Sequence, residues 1–220
     1  MNELLIADDH PLFREALRGV VASLFPNTAI YEADRISNLY PLVDEHPDAD
    51  LLLLDLDIPG AIGFSALVHL RATYPSLPII LVTAHEEARF MRRAMDHGAM
   101  GFIPKSIDSQ TLGTALQVVL DGGTWLPEIV SSAPGISLDE REVAAKLREL
   151  TPQQFRVLQM LSTGQLNKQI AYELNVSEAT IKAHMTAILR KLGASNRTQA
   201  VLMASHLGLN QDEAQETNTF

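Results

Sequence analysis

The chain has 220 residues, 46% of them hydrophobic and 20% charged, which is enough apolar surface for one large packed domain or two small ones. It contains no cysteine, so disulfide frameworks and cysteine zinc sites are excluded, and its histidines lack the ligand spacing of a zinc enzyme. The formal net charge of −10 is uneven, because residues 1–128 hold 18 acidic and 8 basic side chains whereas residues 150–206 hold 2 and 6, and a basic module is a candidate for nucleic-acid binding.

The first part of the chain alternates short apolar runs with segments of helical periodicity. Near-continuous apolar strands separated by helices are typical of a parallel sheet that is covered on both faces. We therefore predict an α/β fold with a doubly wound (βα)5 parallel sheet. The predicted strands are residues 3–7, 28–33, 51–55, 78–83 and 100–104, and a helix follows each of them.

The second part of the chain begins after residues 126–140, whose small and helix-breaking residues indicate a linker. From Thr151 onward the pattern is entirely helical, with glycines at the expected helix ends. Two of the helices are joined by the short turn "NVS", and the second is longer and basic, as in a helix-turn-helix. We predict an α/β domain over residues 1–124, a linker with a short helix over 125–148, an all-α four-helix domain over 149–208 and a polar tail over 209–220.

Five polar residues are predicted to meet at one edge of the sheet. Ligands of a doubly wound sheet bind outside the carboxyl ends of its strands. Carboxylates held close together repel one another and need a cation to offset their charge. Oxygen-rich sites of this kind suit Mg²⁺ or another divalent cation, which we predict as the cofactor. The residues are Asp8 and Asp9 after the first strand, Asp55 after the third, Thr83 at the end of the fourth and Lys105 after the fifth.

A divalent cation beside a carboxylate, a lysine and a hydroxyl is an arrangement for phosphoryl transfer. In this arrangement Asp55 is the nucleophile and becomes an acyl phosphate. We predict that Asp9 and Asp55 bind the metal directly and that Asp8 binds it through water. Lys105 is expected to pair with one phosphate oxygen, and Thr83 to donate a hydrogen bond to another.

The motifs "LLIADDHPLFREAL", "LLLLDLDIPG", "LVTAH" and "GFIPKS", in this order, resemble the receiver domain of response regulators over residues 3–122. The resemblance implies that Asp55 is phosphorylated by a histidine kinase or a small phosphodonor, and that the backbone carbonyl of Asp57 is a further metal ligand. It also implies that Thr83 and Phe102 change position together on phosphorylation. Many relatives have tyrosine in place of Phe102, so a switch step that needs a hydroxyl stays open beside a plain core role.

The longer helix of the second module has two faces. One is an apolar core stripe, and the opposite one is small and basic. A small, basic face can enter the major groove of DNA, where close approach and hydrogen-bond donors are needed. An ordinary solvated helix face would explain the same residues, so DNA contact stays open at this point. The stripe consists of Ile181, Met185, Ile188, Leu189 and Leu192, and the basic face of Ala179, Lys182, Ala183, Thr186 and Arg190.

Residues 150–201 resemble the LuxR-type helix-turn-helix, and together with the receiver motifs the arrangement is similar to the NarL/FixJ subfamily of transcriptional regulators. The likeness implies that Lys182, Ala183 and Thr186 face DNA bases. The usual "TPRE" start reads "TPQQ" here, so the charged contacts expected at that helix start are absent. The likeness also implies phosphate contacts for Asn167, Lys168, Thr180, Arg190, Lys191 and Arg197.

One recognition helix makes few specific contacts, so we expect the active form to be a homodimer on inverted or direct half-sites. The last predicted helix has a stripe of small and apolar residues that is a candidate pairing surface. Packing inside the module is the alternative for Val201 and Ala204. The stripe consists of Ala200, Val201, Ala204 and Leu207.

These features predict a phosphorylation-regulated DNA-binding transcriptional regulator, not an enzyme, with a sensor histidine kinase and double-stranded DNA as partners. One alternative is an aspartyl-phosphate-forming phosphohydrolase, because "DLD" resembles haloacid-dehalogenase-type phosphatases, although these carry Thr or Val where Pro59 stands. Another is a DNA-binding regulator switched independently of phosphorylation. The acidic N-terminus is unlike a signal peptide and no apolar run could span a bilayer, so we expect a cytoplasmic protein without a membrane partner.

Overall fold

The computed structural model describes residues 1–127, 135–205 and 207–208, so the whole predicted polar tail and residues 128–134 of the predicted linker lie outside the described residues. The chain divides into two compact units. The first comprises residues 1–61 and 70–136, and the second residues 62–69 and 137–220. Within the described residues, none of the helices has the length and apolar character needed to cross a lipid bilayer.

The first unit contains a five-stranded sheet in which every pair of neighbouring strands is parallel, in the order β2-β1-β3-β4-β5. The predicted α/β fold class is confirmed. All four leucines of β3 are buried, as expected for a central strand covered on both faces. The strands are β1 (Glu3–Ala7), β2 (Ala29–Ala33), β3 (Leu51–Leu54), β4 (Ile79–Thr83) and β5 (Gly101–Pro104).

Five helices follow the strands. Pro11 begins the first helix at a position where a missing amide hydrogen costs nothing, and the Asp108 carboxylate caps the fifth by accepting from the amides of Gln110 and Thr111. Because the strand order reverses between β1 and β3, the loops that follow these two strands open a crevice at the carboxyl edge of the sheet. The helices are α1 (Pro11–Leu24), α2 (Ile36–Glu45), α3 (Ser65–Thr73), α4 (Ala88–Asp96) and α5 (Ser109–Leu120).

The later part of the chain is helical, as predicted. Ile181, Ile188 and Leu192 of the predicted core stripe are buried, while Met185 and Leu189 are partly exposed. The turn between the two helix-turn-helix elements places Asn175 at a φ of 52°, a conformation that asparagine adopts more readily than other non-glycine residues. The helices are α6 (Leu138–Arg148), α7 (Pro152–Ser162), α8 (Asn167–Glu173), α9 (Glu178–Leu192) and α10 (Arg197–Ser205).

The start of α7 is held by a capping box. The Gln154 amide donates to the Thr151 hydroxyl oxygen at 3.3 Å, and the Gln154 side-chain oxygen accepts from the Thr151 amide at 3.1 Å. The same oxygen accepts from the Lys191 ammonium at 2.7 Å, which ties α7 to the end of α9. An uncharged glutamine therefore completes this capping box, at a position where either glutamate or glutamine can serve.

Thr151→Ala is expected to lower the free energy of unfolding by about 1 kcal/mol, because it removes the hydroxyl acceptor of this capping box. In a domain of this size such a loss lowers the melting temperature by about 4–8 °C. Circular dichroism of the full chain during heating measures the change. Thr198→Ala, at an exposed position of α10, is the matched control, and an equal loss in both variants would contradict the role of the cap.

Candidate metal centre and helix-turn-helix surface

Three of the predicted residues meet at the carboxyl edge of the sheet. Lys105 follows β5, and its ammonium lies 2.7 Å from Asp8 Oδ2 and 2.8 Å from Asp55 Oδ2. Asp8 and Asp55 are 1% and 2% exposed. Backbone pairing extends past the strand ends, with the Asp8 amide donating to the Ala33 carbonyl and the Asp55 amide to the Ala7 carbonyl. The Lys105 ammonium therefore pairs with two buried carboxylates, which follow strands that are distant in sequence.

The surroundings shift the pKa of both partners in this ion pair. Burial raises the pKa of Asp55, and the Asp8 carboxylate adds to the rise, while the Lys105 ammonium and the Asp57 amide oppose it. Burial acts to lower the pKa of Lys105, but hydrogen bonds and charge attraction from Asp55 and Asp8 raise it overall. Lys105 therefore stays charged, and Asp55 is held in an environment that needs positive charge to keep it ionised.

The two neighbouring aspartates of the "DLD" motif have different surroundings. Asp55 is buried, whereas the Asp57 side chain is 46% exposed. The Asp57 amide donates to Asp55 Oδ1 at 3.1 Å, so its backbone faces the site. Its carboxylate instead lies 3.2 Å from the Nε2 atom of His85. His85 was not among the residues predicted for the site. Its position two residues after Thr83 is the one feature of the sequence that could have indicated it.

The acidic residues fit a hard divalent cation. Ligand atoms of Asp8, Asp9, Asp55 and His10 lie within 4.8 Å of one another. Asp8 Oδ2 and Asp9 Oδ1 are buried, and Lys105 Nζ lies 2.7 Å from the first while His10 Nδ1 lies 2.6 Å from the second. Carboxylate oxygens that cluster at a crevice are ligands that Mg²⁺ prefers. His10 was not among the predicted ligands.

The two predicted switch residues are both fully buried on neighbouring strands, Thr83 at the end of β4 and Phe102 as the second residue of β5. The Thr83 hydroxyl oxygen accepts from the His85 amide at 3.2 Å. Phe102 lies in β5, where its amide donates to the Trp125 carbonyl at 3.1 Å. A buried position suits both a core role and a switch role for Phe102, so its part in switching stays a prediction.

The small, basic face of α9 is exposed along its length. The Lys182 side chain is 68% exposed and lies 3.5 Å from the Glu178 carboxylate, an exposed pair that contributes little to stability. Ala183 is exposed beside it, and the Thr186 hydroxyl donates to the Lys182 carbonyl. The predicted base-reading residues are therefore accessible on one side of the helix.

The predicted phosphate contacts fall into two groups. Lys168 and Arg190 are exposed, and Asn167 and Thr180 are partly exposed. The other two side chains have partners within the chain. The hydrogen bonds of Lys191 and Arg197 do not use all the donors of the ammonium and the guanidinium, so both side chains can still donate to a phosphate. The Lys191 ammonium donates to the Glu149 carbonyl at 2.7 Å and to Gln154, and the Arg197 guanidinium donates to the carbonyls of Leu161 at 3.2 Å and Gln165 at 2.7 Å.

The candidate pairing stripe of α10 is mostly buried. Ala200, Ala204 and Leu207 are at most 1% exposed, and Val201 is partly exposed. Burial favours the interpretation that these residues pack inside the chain. Leu202 is the large apolar side chain of this helix that faces outward. Pairing through the predicted stripe stays a prediction, and it is best supported for Val201.

Comparison with known proteins gives two family matches. The family described as "Response regulator receiver domain" matches residues 4–117, and "Bacterial regulatory proteins, luxR family" matches residues 148–204. The glycerol metabolism activator of Pseudomonas putida is 38% identical over 94% of this chain and 96% of its own length. The nitrate/nitrite response regulator protein NarL of Escherichia coli K12 is 28% identical over 90% of this chain and 93% of its own.

The chain is also similar to solved structures over most of its length. RcsB from Salmonella enterica serovar Typhimurium, bound to promoter rprA in the presence of the phosphomimetic BeF3⁻, is 25% identical, with a TM-score of 0.53. The match covers 94% of this chain and 100% of that one. Both modules are therefore similar to those of DNA-bound relatives.

Proposed function

Because the chain belongs to the NarL/FixJ-type response regulators, it is a phosphorylation-regulated transcription regulator, and we propose that Asp55 is the residue that accepts the phosphoryl group. The supporting observation is the buried Lys105 ammonium shared by Asp8 and Asp55. Asp55 is buried and reached by one cation, whereas the Asp57 carboxylate points away toward His85. The family consists of DNA-binding regulators rather than enzymes, and its partners are a histidine kinase and double-stranded DNA.

The transfer step follows from these residues. An Asp55 oxygen attacks the phosphorus of a phosphohistidine or of a small acyl phosphate, the bond to the donor breaks, and an aspartyl phosphate forms. Mg²⁺ would be held by Asp8, Asp9 and Asp55 with the backbone carbonyl of Asp57, and when bound it neutralises charge on the phosphoryl oxygens. Lys105 Nζ, already beside Asp55 Oδ2, pairs with a phosphoryl oxygen.

Phosphorylation of Asp55 changes the positions of residues on β4 and β5. The Thr83 oxygen accepts from the His85 amide, so its hydroxyl hydrogen can be donated to a phosphoryl oxygen. Movement of Thr83 toward the phosphoryl group opens space beside Phe102, which shifts with it. The result is a population shift toward the DNA-binding form.

We propose a receiver domain over residues 1–124, a linker over 125–148 and a DNA-binding domain over 149–208, in a protein that works in the cytoplasm. The exposed face with Lys182, Ala183 and Thr186 reads base edges in the major groove. The active form is a homodimer on two half-sites. Phosphates are contacted by Asn167, Lys168, Thr180, Arg190, Lys191 and Arg197.

A DNA-binding titration with and without acetyl phosphate and Mg²⁺ tests the proposed function. The DNA probe is selected from a random duplex pool with the phosphorylated protein. We expect tighter binding after phosphorylation and a single phosphoryl group per chain. Equal affinity in both states would favour a regulator that ignores phosphate, and steady turnover of acetyl phosphate would favour a phosphohydrolase.

Lys182→Ala is expected to weaken binding to the selected DNA by about 1–3 kcal/mol, because Lys182 donates to a base edge. Binding to unrelated DNA should weaken much less. Lys146→Ala, which removes the same charge from α6, is the matched control for net charge. Unchanged affinity of the Lys182 variant for the selected DNA would place the reading face elsewhere.

A further inference from the structure

The backbone of the metal site is contacted by an arginine that lies outside the acidic cluster. Arg14 Nη1 donates to the Asp8 carbonyl oxygen at 2.6 Å, and Arg14 Nε donates to Glu32 Oε2 at 3.2 Å. The Arg14 side chain is 17% exposed. Arg14 therefore links α1 to β2 and to the peptide that follows Asp8.

That peptide determines where two metal-binding side chains point. The Asp8 carbonyl belongs to the planar unit that carries the Asp9 amide, so turning this unit rotates Asp9 relative to Asp8. The Asp8 amide is held by the Ala33 carbonyl, and Asp8 Oδ1 accepts from the His10 amide at 2.8 Å. Arg14 holds the Asp8 carbonyl oxygen by a charge-assisted hydrogen bond.

Glu32 holds the guanidinium of Arg14 in place. Its Oε2 accepts from Arg14, and its Oε1 accepts from Arg18 Nε at 2.9 Å. Glu32 is the last residue but one of β2 and pairs with Ile6 of β1, so the anchor belongs to the sheet itself. Arg18 shares the carboxylate but has a side chain that is 54% exposed, which makes it a close comparison for Arg14.

We propose that Arg14 is a positioning residue of the divalent-cation site, which it serves by fixing the Asp8–Asp9 peptide. This inference rests on the proposed function, because it assumes that Asp8 and Asp9 hold a cation. The direction of the effect separates positioning from charge. Removing a positive charge near a cation site strengthens cation binding by electrostatics alone, whereas losing the orientation of the ligands weakens it.

The test compares Arg14→Gln with Arg18→Gln in the full chain, and the probe is Mn²⁺ without a phosphodonor. Free Mn²⁺ is followed by its electron paramagnetic resonance signal, which reports binding directly. We expect Arg14→Gln to weaken Mn²⁺ binding by about tenfold, as for other residues that orient metal ligands, and Arg18→Gln to leave it unchanged. Because Glu32 keeps Arg18 as a partner, Arg14→Gln leaves no carboxylate unpaired, and equal melting temperatures in chelator check its fold.

A second measurement separates positioning from chemistry. The rate of phosphorylation by acetyl phosphate is measured against Mg²⁺ concentration. In Arg14→Gln the half-saturating Mg²⁺ concentration is expected to rise by the same factor as in the Mn²⁺ titration, and the rate to recover at high Mg²⁺. Unchanged or tighter Mn²⁺ binding by Arg14→Gln, or equal weakening in Arg18→Gln, overturns the proposal. Failure of the wild-type chain to take up phosphate overturns the proposed function instead, whatever the Mn²⁺ affinities are.

Discussion

Asp55→Asn is expected to abolish phosphoryl uptake from acetyl phosphate and Mg²⁺, because the amide has no anionic oxygen to attack phosphorus. Intact-mass spectrometry measures the added phosphoryl group. The variant should still fold, since asparagine has nearly the same shape and replaces a buried carboxylate whose pKa burial raises. Its affinity for the selected DNA should no longer respond to acetyl phosphate.

Asp57→Asn is the matched control for this loss. It makes the same chemical change two residues away, on a side chain that is directed toward His85 rather than Lys105. Its backbone is unaltered, so we expect it to keep taking up one phosphoryl group. Uptake by the Asp55 variant would contradict the assignment of Asp55, and loss of uptake in the Asp57 variant alone would move the acceptor to Asp57.

Lys105→Ala is expected to lower the free energy of unfolding in the presence of a chelator by about 2–3 kcal/mol. The variant leaves the buried carboxylates of Asp8 and Asp55 facing each other without the cation that they share. The figure is below that of a fully buried pair because the Lys105 side chain is 18% exposed. Urea unfolding with a chelator, and again with Mg²⁺, measures it, and Mg²⁺ should restore much of the loss.

The double variant Lys105→Ala/Asp55→Asn isolates the repulsion. Removing one carboxylate relieves it, so the double variant should be more stable than Lys105→Ala alone in chelator. The lost contact between Lys105 and the ring of Phe13, at 5.0 Å, is the same in both proteins and cancels from this comparison. Equal stability of the single and double variants would mean that Lys105 does not offset the two charges.

The family and fold class, and the edge of the sheet where the polar residues collect, were predictable from local patterns. Apolar runs such as "LLLLD" predicted the parallel strands, and each β3 leucine is buried. Parallel strands all end at the same edge, so the residues that follow them lie at that edge whatever the strand order. Asp8, Asp55 and Lys105 could therefore be grouped before any contact was known.

The contacts themselves were decided by the tertiary structure. The local pattern did not indicate that Arg14 donates a hydrogen bond to the Asp8 carbonyl, or that His85 lies beside Asp57. It also did not indicate that the Lys191 ammonium donates a hydrogen bond to Gln154 at the start of α7. The burial of Ala200 and Ala204 on α10 was also decided by the tertiary structure. An apolar stripe predicts that a helix packs, but it does not identify the surface against which the helix packs.

There is a physical reason why the elements were predictable from the sequence and the contacts were not. Periodicity and capping are properties of neighbouring residues, so the sequence by itself determined the helices, the strands and the family of this protein. A hydrogen bond between residues 50 positions apart, such as that of Lys105 with Asp55, depends on strand order, register and side-chain rotamer together. Those are settled only when the whole sheet packs, and so the tertiary structure decided which carboxylate shares the lysine and which one is turned away.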